Sequence, residues 1–120
     1  MKKVLIADDQ APNRELIRTV LEQAGHAVVE AVDGLEALRH AHEDPPDLIV
    51  LDLHMPRMDG FGALAELRRD ARLAETPIVA LTASAMQGDR ERALAAGFTA
   101  YLAKPISLVK LRNEMDRLLT

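Results

Sequence analysis

Residues 48–52 read Leu-Ile-Val-Leu-Asp, an apolar run of four residues that ends abruptly at the carboxylate of Asp52. An apolar run without polar alternation is typical of a strand that is buried on both faces of a sheet. Four further short apolar runs occur along the chain, at residues 4–7, 27–29, 78–81 and 100–103. The five runs together predict five strands.

Segments with helical periodicity follow each of these runs and predict five helices. Glycine or proline marks several predicted helix ends, and Asp, Glu or Ser at capping positions marks several beginnings. The first helix is predicted to end at Gly25, the second to run from a capping box at Asp33 and Glu36 to Pro45-Pro46, and the third to cover 62–71. The fourth is predicted from Ser84 or Ala85 to Ala96 before Gly97. The fifth follows the N-cap Ser107, and its apolar face is predicted to carry Leu108, Leu111, Met115 and Leu118.

The order of elements is therefore βαβαβαβαβα, without a linker or a low-complexity segment. Strict alternation predicts an α/β fold with a parallel sheet, helices on both faces and right-handed crossovers. A doubly wound sheet of this kind has its ligand crevice at the carboxyl ends of the strands. The length of 120 residues suits one domain, so residues 1–120 are expected to form a single unit without a visible effector domain.

Composition argues against several classes of function and excludes cysteine chemistry. The chain has 15 lysines and arginines against 19 aspartates and glutamates, a balance that argues against direct nucleic-acid binding. Cysteine is absent, so disulfides and cysteine zinc sites are excluded, and three aromatic residues offer little stacking surface for a flavin. The first apolar stretch ends at Asp8, too early for a signal peptide or a membrane span, and a cytoplasmic location away from membranes is expected.

Aspartate, threonine or lysine side chains follow four of the five runs directly. They are Asp8 and Asp9 after the first run, Asp52 after the third, Thr82 after the fourth and Lys104 after the fifth. Because the carboxyl ends of parallel strands lie along one edge of a sheet, three carboxylates, a hydroxyl and an ammonium are expected in one crevice. Taken singly, each residue fits a helix cap, a turn or a solvated surface position, but their shared placement favours one site.

Three neighbouring carboxylates repel one another unless a positive charge compensates them. Mg²⁺ is the expected cation, since it prefers one or two carboxylates and accepts water and phosphate oxygens as further ligands. Lys104 adds a positive charge suited to a phosphoryl group, and Thr82 can donate a hydrogen bond to it. A carboxylate such as Asp52 can then act as a nucleophile and form an aspartyl phosphate.

The chain resembles the receiver domains of response regulators in two-component signalling over its whole length. Four segments carry the resemblance: residues 4–9, 47–60, 78–83 and 100–105. The resemblance implies a flavodoxin-like (βα)5 fold with the strand order 2-1-3-4-5, like that of chemotaxis regulators. It also implies transfer of a phosphoryl group from a histidine kinase or a histidine phosphotransfer protein, followed by a conformational change that a downstream protein target reads.

Residue roles follow from this resemblance by position. Asp52 is the implied phosphoacceptor, and Lys104 the implied contact to the phosphoryl oxygens. Mg²⁺ is the implied cofactor, with Asp8, Asp9, Asp52 and the backbone carbonyl of His54 as its ligands. No conventional turnover is implied, only catalysis by the domain of its own phosphorylation and dephosphorylation.

The remaining implied features concern the response to phosphorylation. Thr82 and Tyr101 are the implied switch pair, beside the small Ala83, and the Lys104–Pro105 peptide bond is implied to be cis.

The donor is expected beside the first helix and the loop at Ile106, and the output surface on the fourth helix, fifth strand and fifth helix. The implied contacts are Pro12, Asn13 and Leu16 for the donor, and Met86, Arg90, Tyr101 and Lys110 for the output of a monomer or weak dimer.

Three alternatives stay open. The chain could be an interaction module, never phosphorylated or taken from a hybrid kinase or transcription regulator. A flavodoxin-like small-molecule carrier would need a phosphate-binding loop rich in Gly, Ser or Thr after the first strand, where this chain has Asp8-Asp9-Gln10. A metal-dependent phosphatase with an aspartyl nucleophile usually has a second carboxylate two residues later, where this chain has His54.

Overall fold

The computed structural model describes residues 1–83 and 87–119. Five strands and five helices alternate along this part of the chain, with a 3-10 turn before the fourth strand. Their bounds are β1 Lys3–Ala7, α1 Ala11–Gln23, β2 Ala27–Ala31, α2 Gly34–Glu43, β3 Leu48–Asp52, α3 Gly60–Arg68, the 3-10 turn Ala71–Leu73, β4 Ile78–Thr82, α4 Gln87–Ala96, β5 Ala100–Ala103 and α5 Leu108–Leu119.

The strands form one parallel sheet in the order β2-β1-β3-β4-β5, which confirms the predicted fold. The chain leaves β1 toward one edge of the sheet and then crosses to the other side through β3, so the switch point lies between β1 and β3. Ala7 pairs with Leu51 across this point, and the loops after β1 and β3 therefore begin side by side.

Two apolar clusters cover the two faces of the sheet. Leu5, Ile49 and Leu51 point to one face and pack against α2 and α3, while Val4, Ile6 and Val50 point to the other and pack against α1 and α5. All residues of β3 and β4 are buried. Residues 27–30 of β2 are only half-buried, because β2 is an edge strand.

Helix capping explains most boundaries. The Asp33 carboxylate accepts a hydrogen bond from the backbone N–H of Glu36 at 2.8 Å, and the Ser107 hydroxyl accepts one from Lys110 at 3.3 Å. Gly25 and Gly97 have φ angles of 90° and 115°, the left-handed region that favours glycine directly after a helix. The predicted start of the fourth helix, at Ser84 or Ala85, lies outside the described residues.

Three predicted details were wrong. The third helix begins at Gly60 because Asp59 caps it, and it ends at Arg68. The second strand continues to Ala31, since β1 supplies backbone partners beyond the apolar run. Leu108, predicted to lie on the apolar face of α5, is 42 % exposed, while Leu119 is buried.

Within residues 1–83 and 87–119, every helix is too short or too polar to cross a lipid bilayer.

Candidate functional site

The carboxyl ends of β1, β3, β4 and β5 bring the polar residues of the sequence together. Asp8, Asp52 and Thr82 are at most 3 % exposed, whereas Asp9 is exposed. Buried polar side chains need hydrogen bonds or charge partners. Three such residues at one edge of the sheet therefore define the candidate site.

The three aspartates form a compact group of ligands. One carboxylate oxygen from each of Asp8, Asp9 and Asp52 lies within 4.8 Å of the other two. Asp8 Oδ2 is buried, and among the described residues its partner is the Lys104 ammonium at 2.9 Å. Clustered carboxylate oxygens match the ligands that Mg²⁺ prefers, so these residues fit a hard divalent cation.

Lys104 is the cationic partner of the pocket. Its Nζ lies 2.9 Å from Asp52 Oδ2, to which it donates a hydrogen bond, and 2.9 Å from Asp8 Oδ2 in an ion pair. Backbone N–H groups bind the remaining carboxylate oxygens: Gln10 donates to Asp8 Oδ1 at 2.9 Å and His54 to Asp52 Oδ1 at 3.1 Å. One ammonium against three carboxylates leaves the pocket negative when all are ionised.

The pKa values in the pocket follow from this crowding. Burial raises the pKa of Asp52, and the neighbouring Asp8 charge adds to the increase, although Lys104 and the His54 N–H act against it. Burial alone would lower the pKa of Lys104, but hydrogen bonds to Asp52 and Asp8 outweigh it and raise this pKa. Lys104 therefore stays charged, and Asp52 gains from any further cation.

Thr82 and Tyr101 lie on neighbouring strands. The Thr82 hydroxyl donates a hydrogen bond to Asp89 Oδ2 of α4 at 3.3 Å. Thr82 pairs with Ala103 and Ala80 with Tyr101, so Tyr101 lies two residues before the partner of Thr82. Tyr101 is half-buried and lines a cavity of about 240 Å³ with residues of α4 and α5.

The remaining candidate residues, Pro105 and His54, lie in the loops after β5 and β3. The Lys104–Pro105 peptide bond is cis, and the Lys104 N–H donates to the Thr82 carbonyl at 2.7 Å. His54 follows Asp52 in the loop between β3 and α3, and its side chain is exposed. Because the imidazole is exposed, only the backbone of His54 is available to the pocket, and the implied metal ligand is its carbonyl group.

Two arginines that sequence analysis missed form contacts near the pocket. Arg14 of α1 donates to the Asp8 carbonyl at 2.7 Å and forms an ion pair with Glu30 of β2 at 2.9 Å. Arg57, in the loop after β3, forms an ion pair with the buried Asp33. The sequence could have indicated the Arg14–Glu30 pair only through Glu30, a polar residue directly after the second apolar run. A polar residue at that position is equally well explained as the end of a strand.

Comparison of the sequence with a family model and with curated proteins identifies relatives of this chain. A model of the response regulator receiver domain matches residues 4–116. The polar-differentiation response regulator DivK of Brucella ovis is 40 % identical over 107 residues, which cover 89 % of this chain and 87 % of DivK. The probable transcriptional regulator ycf27 of Guillardia theta is 40 % identical over 118 residues, 98 % of this chain, and the chain spans only 45 % of ycf27.

Solved structures give the same result. The chemotaxis response regulator CheY4 of Vibrio cholerae has a TM-score of 0.92 and 34 % identity, with 98 % of each chain covered. The receiver domain of the sensor histidine kinase PA1611 from Pseudomonas aeruginosa PAO1 has a TM-score of 0.90 and 36 % identity, covering 98 % of this chain and 97 % of that one. That structure is described with a magnesium ion coordinated in the active site cleft.

Five parallel strands in the order 2-1-3-4-5, with an acidic pocket at their carboxyl ends, define a flavodoxin-like α/β domain of the chemotaxis-regulator type. The match of the receiver-domain model to residues 4–116 and the 40 % identity to DivK identify the family within this class. The chain belongs to the response regulator receiver domain family of two-component signalling. Receiver domains generally bind Mg²⁺ in such a pocket and interact with histidine kinases and downstream targets.

Proposed function

We propose that this domain accepts a phosphoryl group on Asp52 from the phosphohistidine of a histidine kinase or a phosphotransfer protein. The observation that carries the proposal is the buried Asp52 carboxylate, which lies 2.9 Å from the Lys104 ammonium in a pocket with two further carboxylates. Burial excludes water from the acceptor, and the adjacent cation offers compensation for incoming negative charge.

The chemistry is a displacement at phosphorus. An Asp52 oxygen attacks the phosphorus, a P–O bond forms, the P–N bond of the donor breaks, and its electron pair stays on the imidazole nitrogen. The His54 N–H holds Asp52 Oδ1, while the Lys104 ammonium at Oδ2 is placed to contact the phosphoryl oxygens. Such transfers depend mainly on positioning and charge compensation, and both come from these residues.

Asp8, Asp9, Asp52 and the backbone carbonyl of His54 are the proposed ligands of Mg²⁺. The bound ion supplies the positive charge that the carboxylate cluster lacks and that the phosphoryl oxygens need. The cluster of three carboxylates and the raised pKa of Asp52, which results first from burial, both support a cation at this position.

Thr82 and Tyr101 are the proposed switch. In the structure the Thr82 hydroxyl bonds to Asp89, and a phosphoryl oxygen on Asp52 would compete for the same donor. Exchange of this hydrogen bond would change the contacts of α4 and bias a two-state equilibrium, with Tyr101 responding on the neighbouring strand. The proposed output residues are Arg90, Tyr101 and Lys110, and Met86 lies outside the described residues.

The proposed partners follow the surfaces around the pocket. The donor is proposed to dock beside α1, at Pro12, Asn13 and Leu16, and beside Ile106. We further propose that residues 1–120 act as one domain, as a monomer or weak dimer in the cytoplasm without direct nucleic-acid contact. Its only catalysis would be its own phosphorylation and dephosphorylation.

Intact mass measured after incubation with acetyl phosphate tests the acceptor. Wild-type protein is expected to gain a single phosphoryl group that requires Mg²⁺, and Asp52→Asn is expected to gain none. Asp47→Asn is the matched control, because Asp47 is an exposed aspartate before the opposite end of the same strand. Retention of the adduct in Asp52→Asn would refute the acceptor assignment. Absence of an adduct on the wild-type protein would favour an interaction module or a strict need for a protein donor.

A further inference from the structure

Arg57 occupies an unusual backbone position next to the acidic pocket. Its φ angle is 66°, and it is the one residue other than glycine with a positive φ in residues 1–83 and 87–119. Left-handed backbone is unfavourable for a long side chain and persists only where surrounding contacts hold it. Contacts of the Arg57 side chain are therefore expected to compensate.

The Arg57 guanidinium supplies that contact by pairing with Asp33. Arg57 Nε lies 2.6 Å from Asp33 Oδ2, and a second guanidinium nitrogen contacts the same oxygen. The Asp33 side chain is only 4 % exposed, and its other oxygen caps α2 through the Glu36 N–H. Both carboxylate oxygens are used, so Asp33 is a fixed anchor at the start of α2 rather than a mobile surface charge.

A second contact fastens the same loop to α2. The Gly34 N–H donates to the Met58 carbonyl at 3.2 Å. A Cβ atom at residue 34 would lie 2.4 Å from that carbonyl oxygen, so only glycine permits this approach. Arg57 and Met58, at the tip of the loop formed by residues 53–59, are thus both tied to the first residues of α2.

The base of the 53–59 loop is tied to the pocket. The Gly60 N–H donates to the Leu53 carbonyl at 3.1 Å and closes the loop. The His54 N–H donates to Asp52 Oδ1 at 3.1 Å, so the same short loop holds the proposed acceptor and the proposed carbonyl ligand. With base and tip both held, little freedom remains for the peptide of His54.

We infer that Arg57 is a positioning residue for the acidic pocket, acting through its ion pair with Asp33 to hold the 53–59 loop in the geometry that binds Mg²⁺. The inference rests on the proposed function of that pocket. Outer contacts that orient metal ligands typically change metal affinity by about tenfold or more. Loss of the Arg57–Asp33 pair is therefore expected to weaken Mg²⁺ binding about tenfold.

Three substitutions separate the ion pair from other roles of these residues. Arg57→Asn removes the charge but suits the left-handed backbone, since asparagine adopts it readily. Asp33→Asn removes the opposite charge and keeps a good N-cap. Arg57→Lys keeps a cation and is expected to restore part of the affinity that Arg57→Asn loses. Because all three variants preserve the local backbone preferences or the cap, they are expected to fold.

Asp70→Asn is the matched control. Asp70 also caps a turn, at 2.9 Å from the Arg72 N–H, and pairs with the Arg72 side chain at 2.7 Å. It precedes β4 and so lies at the opposite edge of the sheet from the pocket. A general effect of losing a capped ion pair would appear equally in this variant.

The experiment has two readouts on the unphosphorylated protein. Amide hydrogen exchange without metal should become faster at Gly34, Met58 and Gly60 in Arg57→Asn and Asp33→Asn, but not in Asp70→Asn. Calorimetric titration with Mg²⁺ alone should show about tenfold weaker binding in the same two variants and no additional loss in the double variant.

The outcomes distinguish the inference from the function on which it rests. Unchanged Mg²⁺ affinity in both Arg57→Asn and Asp33→Asn, with normal binding by wild type, would overturn the role of Arg57 alone. Equal weakening in Asp70→Asn would also overturn it, because the effect would then follow stability rather than loop position. Failure of the wild-type protein to bind Mg²⁺ would overturn the proposed metal pocket and the inference with it.

Discussion

Asp52 combines two properties that oppose each other. Its burial at the end of β3 shields the proposed acceptor from water, but it also places a negative charge beside those of Asp8 and Asp9. Lys104 compensates part of this charge and is shared between Asp52 and Asp8. In the metal-free protein, repulsion among these carboxylates therefore lowers the free energy of unfolding, as is common at functional sites.

Removal of the Asp52 charge is predicted to stabilise the metal-free protein. Asp52→Asn leaves Lys104 paired with Asp8 and relieves the repulsion, and a gain on the order of 1 kcal/mol in the free energy of unfolding is expected. Urea unfolding at pH 7 with a chelator measures it, and Asp47→Asn, which changes an exposed aspartate, should show no such gain. A loss of stability in Asp52→Asn would mean that Lys104 already compensates the cluster fully.

At the scale of single elements, the starts of α2 and α3 are fitted tightly against the loop after β3. Asp33 caps α2 and Asp59 caps α3. Gly60 lies so close to the sheet that a Cβ atom there would be 2.5 Å from the Asp52 carbonyl oxygen. These close contacts fix the path of the chain between β3, which carries the proposed acceptor, and α3.

Gly60→Ala is predicted to destabilise the protein by about 1–3 kcal/mol, because the added methyl group meets backbone that cannot move without displacing Asp52. Gly88→Ala in α4 is the control, since no atom lies within 4 Å of its added Cβ. There alanine is expected to be neutral or to stabilise the helix by up to about 1 kcal/mol. Comparison of the two variants by urea unfolding checks the prediction, and equal effects would contradict it.

The cap of α2 should also make stability depend on pH. The Glu36 N–H lowers the pKa of Asp33, and the Arg57 charge adds to this against the opposing effect of burial. A carboxyl whose folded pKa lies below its unfolded value of 3.8 contributes stability above pH 3.8 and loses it as pH falls through the folded pKa. The advantage of wild type over Asp33→Asn in urea unfolding should accordingly shrink below pH 3.8, and a gap that stays constant down to acid unfolding would argue against the ion pair.

For the whole molecule, the pocket joins the ends of four strands that are distant in sequence. A cation that binds only the folded state, through ligands at the ends of β1 and β3, shifts the unfolding equilibrium toward that state. The cluster of Asp8, Asp9 and Asp52 does not exist in the unfolded chain, so the effect of Mg²⁺ should be global rather than local.

Mg²⁺ is therefore predicted to raise the thermal unfolding midpoint in a concentration-dependent way. At a free concentration one hundred times the Kd, the expected stabilisation is about 2.7 kcal/mol. Differential scanning calorimetry with NaCl at matched ionic strength as the control measures the shift. A midpoint that responds equally to both salts would show that screening, and not specific binding, is responsible.

The sequence by itself determined the order of strands and helices and the set of residues in the pocket. Apolar runs of four residues report buried strands, and a polar residue that follows such a strand lies at the carboxyl end of the parallel sheet. For this reason Asp8, Asp9, Asp52, Thr82 and Lys104 could all be found without coordinates.

Only the tertiary structure decided how these residues are paired and held. Lys104 contacts Asp52 across 52 residues of sequence, and Arg57 contacts Asp33 across 24. Local patterns carry no information about such pairs, because the distance between two charged side chains depends on how the helices and loops pack and not on the residues beside them. The start of α3 differs from these pairs, because the cap at Asp59 is a local signal that helical periodicity alone did not reveal.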